Sequence, residues 1–459
     1  MGWFENYFEF ERHGTDMKTE VLAGMTTFMT MAYILFVNPA ILSDAMGKEA
    51  FNSLVAVTAL AAGFATILMG LYAKKPFALA PGMGLNAYFA YSVVIGMGYD
   101  WRVALAAVFV EGLIFIVLSV TKVRSAIIHA IPLSQKYAVG AGIGLFLTFI
   151  GLNDVGLLSA KVVAPQGSEL VIDGQTHLIG TLQFTGLNTS ALASGDILLF
   201  FFGLFLAMVL IALRVKGSLL ISIITTSVIG WITGVAPWPE HLFSIPDISY
   251  TFMQMDLQGL LNVGALGVVF AFFMVDFFDT LGTVTGLSAK AGFITKDGKV
   301  PDAEKVLLTD AIGTTVGAIL GTSTVTTYIE SAAGIEEGGR TGMTALVTGL
   351  LFLGIGLFIA PLAQSIPAFA TAPALVIVGY YMLSAIKEVD FTDHTEAIPA
   401  FLVLITIPYT YSIADGIGAG FISYTLLKLF SGRGKELHPL MYILAIIFVA
   451  YFAYLGGVF

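Results

Sequence analysis

"KKPFALAPGMGLNAYFAY", residues 74–91, lies among apolar helices but cannot itself form one continuous helix. Pro76 and Pro81 each remove a backbone N–H and break the helical hydrogen-bond ladder. Gly82 and Gly84 add the conformational freedom that disfavours a helix interior. The sequence therefore predicts that the chain unwinds here and restarts as a shorter helix.

A second stretch of this kind is "GTSTVTTYIESAAG" (321–334), rich in β-branched and hydroxyl residues, with a helix expected to start near Tyr328. Unwound backbone at membrane depth survives only where it is buried in protein or lines a cavity. Each half-helix that follows has free N–H groups and a positive dipole end, so two meeting breaks would form a polar binding site. The alternative is that Pro and Gly only kink packed helices; the matched positions of the breaks favour the site.

The composition indicates a membrane protein. Hydrophobic residues make up 57% of the 459 residues and charged residues only 11%, whereas soluble domains have roughly a quarter charged. Apolar stretches long enough to cross a bilayer recur from Thr19 onward, which predicts an all-α polytopic membrane protein. Residues 1–18 are polar and aromatic without a basic region before an apolar core, so we expect a cytoplasmic tail and no signal peptide.

The apolar stretches form two series of seven, which we number segments 1–14. An odd-numbered repeat must invert its second copy, an arrangement common in secondary transporters. The first repeat (19–235) and the second (260–430) are followed by an additional C-terminal hydrophobic helix, 440–457. Segments 1–7 are expected near 19–42, 53–72, 84–98, 102–121, 134–151, 195–213 and 217–235, and segments 8–14 near 260–282, 304–320, 328–338, 342–364, 370–386, 396–412 and 414–430.

The distribution of Lys and Arg predicts the orientation. With the N-terminus in the cytoplasm, all but four of the 21 basic residues fall on the cytoplasmic side; the exceptions are Lys48, Arg102, Lys136 and Lys161. We therefore expect a multi-pass protein of the cytoplasmic membrane with its N-terminus inside. Residues 152–194 then lie outside, where Asp173 and Gly174 predict the turn of a small hairpin.

Four polar residues stand beside the breaks or on segment 8: Asn86, Asp276, Asp279 and Glu330. Intramembrane acids are functional by default, because their burial is costly and nothing structural compensates for it. A water-exposed helix end is the alternative for Asp279 and Glu330. Asp276 is equally well explained as a supporting partner of a nearby hydroxyl.

Other polar positions are less informative. Thr283 shares the helix face of Asp279, but its hydroxyl would equally well bond a carbonyl of its own helix. Glu111, inside segment 4, has no explanation from sequence. The six histidines show no metal-ligand spacing, and the lack of cysteine excludes thiolate sites and disulfides. We therefore expect neither an enzyme, nor a metal or organic cofactor, nor a nucleic-acid partner.

Together these segments are similar to a known family. From about Phe8 to its end, the chain resembles the AzgA-like purine permeases of the nucleobase–cation symporter-2 (nucleobase/ascorbate transporter) superfamily. "VDFFDT" and "HPLMY" (438–442) look most like bacterial guanine/hypoxanthine permeases, whereas "LAPGMGLNAYFAY" is shared about equally with adenine permeases. The resemblance is carried by "AGMTTFMTMAYILFVNPAIL" (23–42), "LAPGMGLNAYFAYSVVIGMG" (79–98), "VDFFDTLGT" (275–283), "GTSTVTTYIESAAG" with "GGRTG" (321–342) and "YSIADGIGAGFISY" (411–424).

The resemblance implies two inverted seven-segment repeats folded into two domains. The core domain (19–121 plus 260–364) holds segments 1–4 and 8–11, and the gate domain (122–235 plus 365–430) holds segments 5–7 and 12–14. Short strands precede the half-helices of segments 3 and 10, and the substrate sits between them, facing segment 8. Family members are generally proton symporters. By motif, the family's segment-8 acid is Asp279, its segment-10 acid is Glu330 and its segment-3 asparagine is Asn86.

Two departures separate this chain from other branches of the superfamily. In pyrimidine and xanthine relatives a histidine follows the segment-8 acid by four residues, where this chain has Thr283. The superfamily's "(Q/E)N(x)G" signature reads "ESAAG" at residues 330–334. Both departures fit the AzgA branch and argue against uracil or xanthine.

A purine base is flat and neutral, with N–H donors and ring-nitrogen acceptors alternating along its edge. Two carboxylates can accept its N–H groups, and half-helix N–H groups near Leu85 and Ile329 can donate to it. Burial and a second nearby acid disfavour the charged carboxylate, so Asp279 is expected to share a proton with Asp276 or Glu330. We assign substrate binding to Asp279, Glu330, Asn86, Leu85, Gly84, Ile329, Tyr328 and Thr283, and proton coupling to Asp279, Glu330 and Asp276.

Three readings of the function remain. The first is proton-coupled uptake of hypoxanthine or guanine by an elevator-like motion, with an adenine-specific permease as its close variant. The second is an anion transporter of the same fold, which should carry basic or neutral groups in place of Asp279 and Glu330. The third is a channel, which would need a continuous polar lining. The expected partners are a purine nucleobase, the lipid bilayer and a second copy bound through the gate domain.

Overall fold

The computed structural model describes residues 3–120, 132–163, 169–172, 175–178, 181–261, 263–294 and 300–455. Over these residues the chain is mostly helical, and eight helices are long and apolar enough to cross a membrane. The predicted polytopic all-α fold is confirmed. Segments 3 and 10, expected to be too short to span alone, contain no helix among those eight.

The first repeat follows two short helices, Trp3–Tyr7 and Phe10–His13, in the N-terminal tail. Its segments begin and end within a few residues of their predicted limits. They are Met17–Met31 with Ile34–Met46 (1), Phe51–Leu68 continued by the π-helical turn Met69–Ala73 (2), strand Leu79–Pro81 with helix Met83–Ala87 and its π-helical extension Tyr88–Gly96 (3), Trp101–Ser119 (4), Leu133–Asp154 (5), Gly195–Ala212 (6) and Ser218–Ile232 (7).

The second repeat has the same sequence of elements. Its segments are Val263–Lys290 (8), Ala303–Leu320 (9), strand Val325–Thr327 with helix Ser331–Glu336 (10), Gly342–Gly354 with Ala360–Ser365 (11), Ala368–Leu383 (12), His394–Thr410 (13) and Ile413–Phe430 (14). The C-terminal helix, Pro439–Leu455, packs on segment 14, where the rings of Phe421 and Phe448 meet edge to face. Its predicted last residues lie outside the described part of the chain.

In the described part of the chain, six short strands interrupt the helices: β1 Leu79–Pro81, β2 Leu158–Val163, β3 Glu169–Ile172, β4 Gln175–Leu178, β5 Thr181–Leu187 and β6 Val325–Thr327. Strands β1 and β6 come from different repeats and pair antiparallel, with Ala80 opposite Thr326. The N–H of Gly82 bonds the carbonyl of Thr324 at 2.9 Å and extends the pairing. The unwound backbone of each repeat is therefore satisfied by the other repeat, as burial in a membrane requires.

The loop between segments 5 and 6 contains the other four strands. β2 pairs with β5 and β3 with β4, both antiparallel, so the predicted hairpin is present in its strands. The expected turn at Asp173 and Gly174 lies outside the described residues.

Segment 1 differs from its prediction as one continuous helix. It is divided at Ala32 and Tyr33 into two helices, and Pro39 lies inside the second. The break places the Tyr33 side chain in the protein interior, where it is fully buried.

The helices pack in two groups. Segments 1, 2, 4, 8, 9 and 11 contact one another, and segments 5, 6, 7, 12, 13 and 14 form the other group. The assignment of these groups to a core and a gate domain stays a prediction, and its boundary at residues 121 and 122 lies outside the described part of the chain.

Glu20, at the start of segment 1, caps the start of segment 11. Its buried carboxylate accepts hydrogen bonds from the Thr344 hydroxyl at 2.6 Å and from the N–H groups of Arg340, Thr344 and Thr341 at 2.9, 3.2 and 3.3 Å. An anion at a helix N-terminus satisfies free N–H groups and complements the helix dipole. Glu20 therefore joins the first and second repeats.

Replacing Glu20 by glutamine should lower the free energy of unfolding by about 1 kcal/mol, since the side chain keeps its size but loses the charge beside the helix dipole. The melting temperature of the purified protein in detergent measures this loss. Glu11, which is exposed in the N-terminal tail, is the matched control, and Glu11→Gln should melt like the wild type. Equal melting of the two variants would contradict the capping role.

Candidate functional site

Both half-helices start at the strand pair. Helix Met83–Ala87 begins two residues after β1, and helix Ser331–Glu336 begins four residues after β6. The first N–H groups of a helix have no acceptor within it. The two breaks predicted at residues 74–91 and 321–334 are confirmed, and their half-helices begin at one place in the fold.

Glu330 lies one residue before its half-helix, not within the first turn as expected from sequence. The helix expected near Tyr328 starts at Ser331. The N–H groups of residues 331–333 bond the carbonyls of residues 328–330 at 3.1, 2.9 and 2.9 Å. The N–H groups of residues 331–333 are therefore already hydrogen-bonded within this tight first turn. A ligand at this end of the helix would instead meet N–H groups that precede the turn.

Asp279 is a partly exposed acid on segment 8 that faces β6. The Thr326 hydroxyl lies 3.5 Å from Asp279 Oδ2, and the same hydroxyl lies 3.0 Å from that of Thr280. Glu330 and Tyr328 lie near enough to interact electrostatically with Asp279. A carboxylate with one long hydrogen bond keeps most of its acceptor capacity for a ligand.

Tyr33 is a site residue that sequence reasoning missed. Its hydroxyl donates a 2.6 Å hydrogen bond to Glu330 Oε1, and the Glu330 carbonyl lies 3.5 Å from the Thr30 hydroxyl. The break in segment 1 therefore supports the acid of segment 10. One tyrosine in an apolar run gives no sequence signal for such a role.

Asn86 is fully buried and belongs to an amide network. Its Nδ2 donates to Asn38 Oδ1 at 2.6 Å, and Asn38 Nδ2 donates to the hydroxyls of Thr58 at 2.6 Å and Thr322 at 3.1 Å. Asn86 Oδ1 accepts no hydrogen bond from the described residues. The network joins the half-helix of segment 3 to segments 1 and 2 and to the residues between segment 9 and β6, so Asn86 positions that half-helix. Direct contact of Asn86 with substrate stays a proposal.

Asp310, on segment 9, is a second residue that sequence reasoning missed. Its Oδ1 accepts 2.8 Å hydrogen bonds from both the N–H and the hydroxyl of Thr327, and its Oδ2 accepts one of 2.8 Å from Thr280. The rule that selected Asp276 and Asp279, an acid inside an apolar segment, would have selected Asp310 as well. Asp310 fixes β6 beside segment 8.

The remaining assigned residues surround the strand pair in different ways. Leu85 and Tyr328 are buried, and the Tyr328 hydroxyl donates to the Pro81 carbonyl. A Cβ at Gly84 would overlap the side chain of Ile143 on segment 5, so glycine is needed for this close approach. Ile329 is 47% exposed, which leaves the entry to segment 10 open to a ligand. Thr283 is partly buried one turn after Asp279.

The site is acidic. The ion pairs found among the described residues involve neither Asp279 nor Glu330. In the same part of the chain no group of three His, Asp or Glu residues could hold a metal ion. The arrangement offers hydrogen-bond acceptors from two carboxyl groups and donors from backbone N–H groups.

Comparisons with known proteins agree on one class. The model of a permease family, Xan_ur_permease, matches residues 18–418. Guanine/hypoxanthine permease PbuG of Bacillus subtilis is 42% identical over 461 residues, covering 98% of this chain and 100% of PbuG. Adenine permease AdeP of Escherichia coli is 39% identical over 448 residues, covering 98% of this chain and 95% of AdeP.

A solved structure shows the same fold. The transmembrane domain of the cyanobacterium bicarbonate transporter BicA matches with a TM-score of 0.61 over 88% of this chain and 97% of its own. The two sequences are 16% identical, so the likeness concerns the fold alone. That fold is the inverted repeat of seven plus seven segments.

Proposed function

The chain belongs to the Xan_ur_permease family of permeases, and from this premise we propose that it imports purine nucleobases together with protons. Its relatives are transport proteins and not enzymes. PbuG is named for guanine and hypoxanthine and AdeP for adenine, and the chain matches both over nearly their whole length. We propose hypoxanthine or guanine as the substrate, with adenine as the close alternative.

One observation supports the proposal most directly: Asp279 and Glu330 stand beside the half-helices, near enough to interact electrostatically, and neither is ion-paired with a cation of the described residues. Carboxylates accept the N–H groups of a purine, and hydrogen bonds to a charged group are roughly twice as strong as neutral ones. Backbone N–H groups at the start of the segment 3 half-helix and just before the segment 10 half-helix donate to ring nitrogens or to O6. A flat base with polar atoms along both edges can bond the carboxyl groups and the backbone N–H groups at the same time.

The preference for a 6-oxopurine follows from the edge that meets the site. The 6-oxo group accepts from a half-helix N–H, and it forces a donor at N1 that a carboxylate accepts. Adenine reverses both positions, with an amino donor at C6 and an acceptor at N1. A protonated carboxyl group could donate to N1 of adenine and accept from its amino group. The preference between adenine and hypoxanthine therefore depends on the protonation of the site as much as on its shape.

Proton coupling, elevator-like motion and assembly complete the proposal. A proton from outside neutralises one acid, shared between Asp279 and either Glu330 or Asp276, before the core domain moves the bound base across the membrane. The N-terminus is on the cytoplasmic side. A homodimer through the gate domain is the proposed assembly, which crosslinking in native membranes tests.

An anion transporter is the second candidate, because BicA has the same fold. Asp279 and Glu330 oppose it, since two acids would repel a bicarbonate or sulfate ion where a purine finds acceptors. The same uptake experiment separates the two candidates.

Uptake of labelled hypoxanthine into cells that express the protein should be faster near pH 6 than near pH 8, because proton binding loads the carrier from outside. Unlabelled hypoxanthine and guanine should compete strongly, and adenine should compete measurably. Uracil should compete weakly, because one ring cannot reach both half-helices and Asp279 together. Nucleosides should fail, because ribose at N9 removes a donor and adds bulk.

Cells that carry the empty vector provide the control for other purine carriers. Strong inhibition by uracil or sulfate would overturn the substrate assignment. Uptake that is indifferent to external pH and to a protonophore would overturn the coupling.

A further inference from the structure

Glu111 is a buried acid that the proposed substrate site does not use. It lies in the middle of segment 4 and is fully buried, and neither of its carboxyl oxygens accepts a hydrogen bond from a described donor. A lone ionised carboxylate in such a place is very unfavourable. Glu111 therefore needs either a counter-charge or a proton.

The group that faces Glu111 is a second acid, Asp276 on segment 8. Their carboxyl groups are within hydrogen-bonding reach of each other. Asp276 Oδ1 has no partner among the described residues, and Asp276 Oδ2 lies 3.4 Å from the Thr314 hydroxyl. That hydroxyl has one proton and lies closer to the Val325 carbonyl, at 2.9 Å. The two acids therefore receive almost no hydrogen bonds from the protein around them.

Among the described residues, the charged groups that act most strongly on the pair are further acids, Asp310 from segment 9 and Asp279 from segment 8. One turn from Glu111, the ring of Phe115 packs edge to face on Phe273 and Phe277 of segment 8, with centroids 6.1 and 5.7 Å apart. Two carboxyl groups in contact in such a setting cannot both be ionised, and one proton between them satisfies both.

We propose that Glu111 and Asp276 form a carboxylic-acid pair that binds the transported proton, at a site separate from the substrate acids Asp279 and Glu330. The proposal rests on proton-coupled transport, and it places the transported proton on this pair of acids instead of on Asp279. It also gives the buried Glu111 a role.

The pair is connected to the substrate site through β6. The Thr314 hydroxyl joins Asp276 to the carbonyl of Val325, the first residue of that strand. The next residue, Thr326, faces Asp279. Loss of the proton would leave repulsion between segments 4 and 8 beside the strand that precedes Glu330, so protonation of the pair and occupancy of the site influence each other.

The test uses the full-length protein in proteoliposomes. A pH step of two units, acidic outside, can drive about 100-fold accumulation when one proton enters with each substrate. In Glu111→Gln the amide imitates the protonated acid and cannot release a proton. We expect hypoxanthine to reach equal concentrations on both sides in this variant, while counterflow of labelled against unlabelled hypoxanthine continues.

Two further variants keep the experiment decisive. Glu304→Gln, at an exposed acid that begins segment 9, is the matched control and should accumulate substrate like the wild type. Asp276→Asn should show the same loss of accumulation as Glu111→Gln, and the double variant should be no worse than either one, because the pair holds a single proton. Proton uptake on hypoxanthine binding, followed with a pH-indicator dye in detergent, should disappear in all three variants of the pair.

The outcomes separate this inference from the proposed function. If the wild type accumulates no purine, the proposed function fails. If the wild type accumulates hypoxanthine and Glu111→Gln does so as well, the acid pair is not the proton site. Two other results would also overturn the pair as the proton site. One is a folded Glu111→Gln variant that loses counterflow as well as accumulation. The other is wild-type accumulation that is driven by a sodium gradient and does not respond to the pH step.

Discussion

Hypoxanthine should bind Asp279→Asn more weakly than the wild type by about 1.5–3 kcal/mol, the range for a hydrogen bond to a charged group. In affinity this is a loss of about 10- to 150-fold. Asparagine keeps the size of the side chain but replaces one carboxylate oxygen with a donor, which would face an N–H of the purine. The Thr326 contact is already 3.5 Å long, so little of the effect comes from a lost protein hydrogen bond.

Equilibrium binding of labelled hypoxanthine to purified protein measures this loss without relying on transport. Asp276→Asn is the comparison on the same helix, because Asp276 faces Glu111 and is expected to bind purine nearly normally. Glu336→Gln, at the exposed last residue of the half-helix, serves as the surface control. If Asp276→Asn lost affinity and Asp279→Asn kept it, the substrate acid would be assigned one helical turn too late.

Lys428→Met should lower the free energy of unfolding by about 1.5–3 kcal/mol, the range for hydrogen bonds to charged groups, because the ammonium is buried while the acids around it are partly exposed. The Lys428 side chain is 1% exposed, and its Nζ lies 2.8 Å from Glu396, 2.9 Å from Glu436 and 3.8 Å from Asp393. Without the ammonium group, the donors that Glu396 keeps among the described residues are the hydroxyls of Ser134 and Tyr424. Thermal unfolding in detergent should show a large drop in melting temperature.

Lys435→Met is the matched control, because Lys435 is an exposed lysine of the loop that follows segment 14. It should melt like the wild type, and a Lys428→Met variant as stable as this control would show that the cluster contributes nothing. Limited proteolysis should find the loop before the C-terminal helix more accessible in Lys428→Met. Glu436 in that loop is held by both Lys428 and Arg433.

The same cluster predicts a dependence on pH. The Thr395 hydroxyl and the Arg433 guanidinium hold the pKa of Asp393 well below its usual range, and Arg433 and Lys428 lower the pKa of Glu436 to about 2. An acid whose pKa is depressed in the folded state stabilises the fold above its unfolded pKa of about 4. That stability is lost as the pH falls toward the folded values. On acidification from neutral pH, the wild type should therefore lose more of its melting temperature than Lys428→Met.

Much of the fold could be predicted because a membrane restricts the secondary structures that can span it. The proline and glycine pattern at residues 76–84 allows no continuous helix, and the apolar lengths allow few other segment limits. The pairing of Ala80 with Thr326 could not be predicted from any local pattern, because it joins two strands from different repeats. Strands β1 and β6 themselves were expected only from the family resemblance.

Site residues could be predicted where an acid interrupts an apolar segment. The residues that hydrogen-bond to them could not be predicted where they are of types common in membrane helices. Asp279 and Glu330 both stand beside the half-helices, near enough to interact electrostatically, and their role in binding stays a prediction. Tyr33 lies at a helix break that no proline or glycine marks, so its bond to Glu330 could not be predicted. Asn86, predicted to contact the substrate, is bonded to Asn38, because a buried amide needs partners whether or not a ligand is present; its contact with substrate stays a prediction.

The pairing of β1 with β6 has a consequence for how the protein is made. Thr327 is synthesised 248 residues after Leu79, its partner in the strand pair. At about 5–20 residues per second, β1 waits roughly 12–50 s for β6 to leave the ribosome. During that time its backbone groups have no strand to bond, and lipid offers them nothing. The first repeat therefore cannot complete its folding before the second repeat is made. During insertion, β1 must be kept away from lipid until segment 10 has been synthesised.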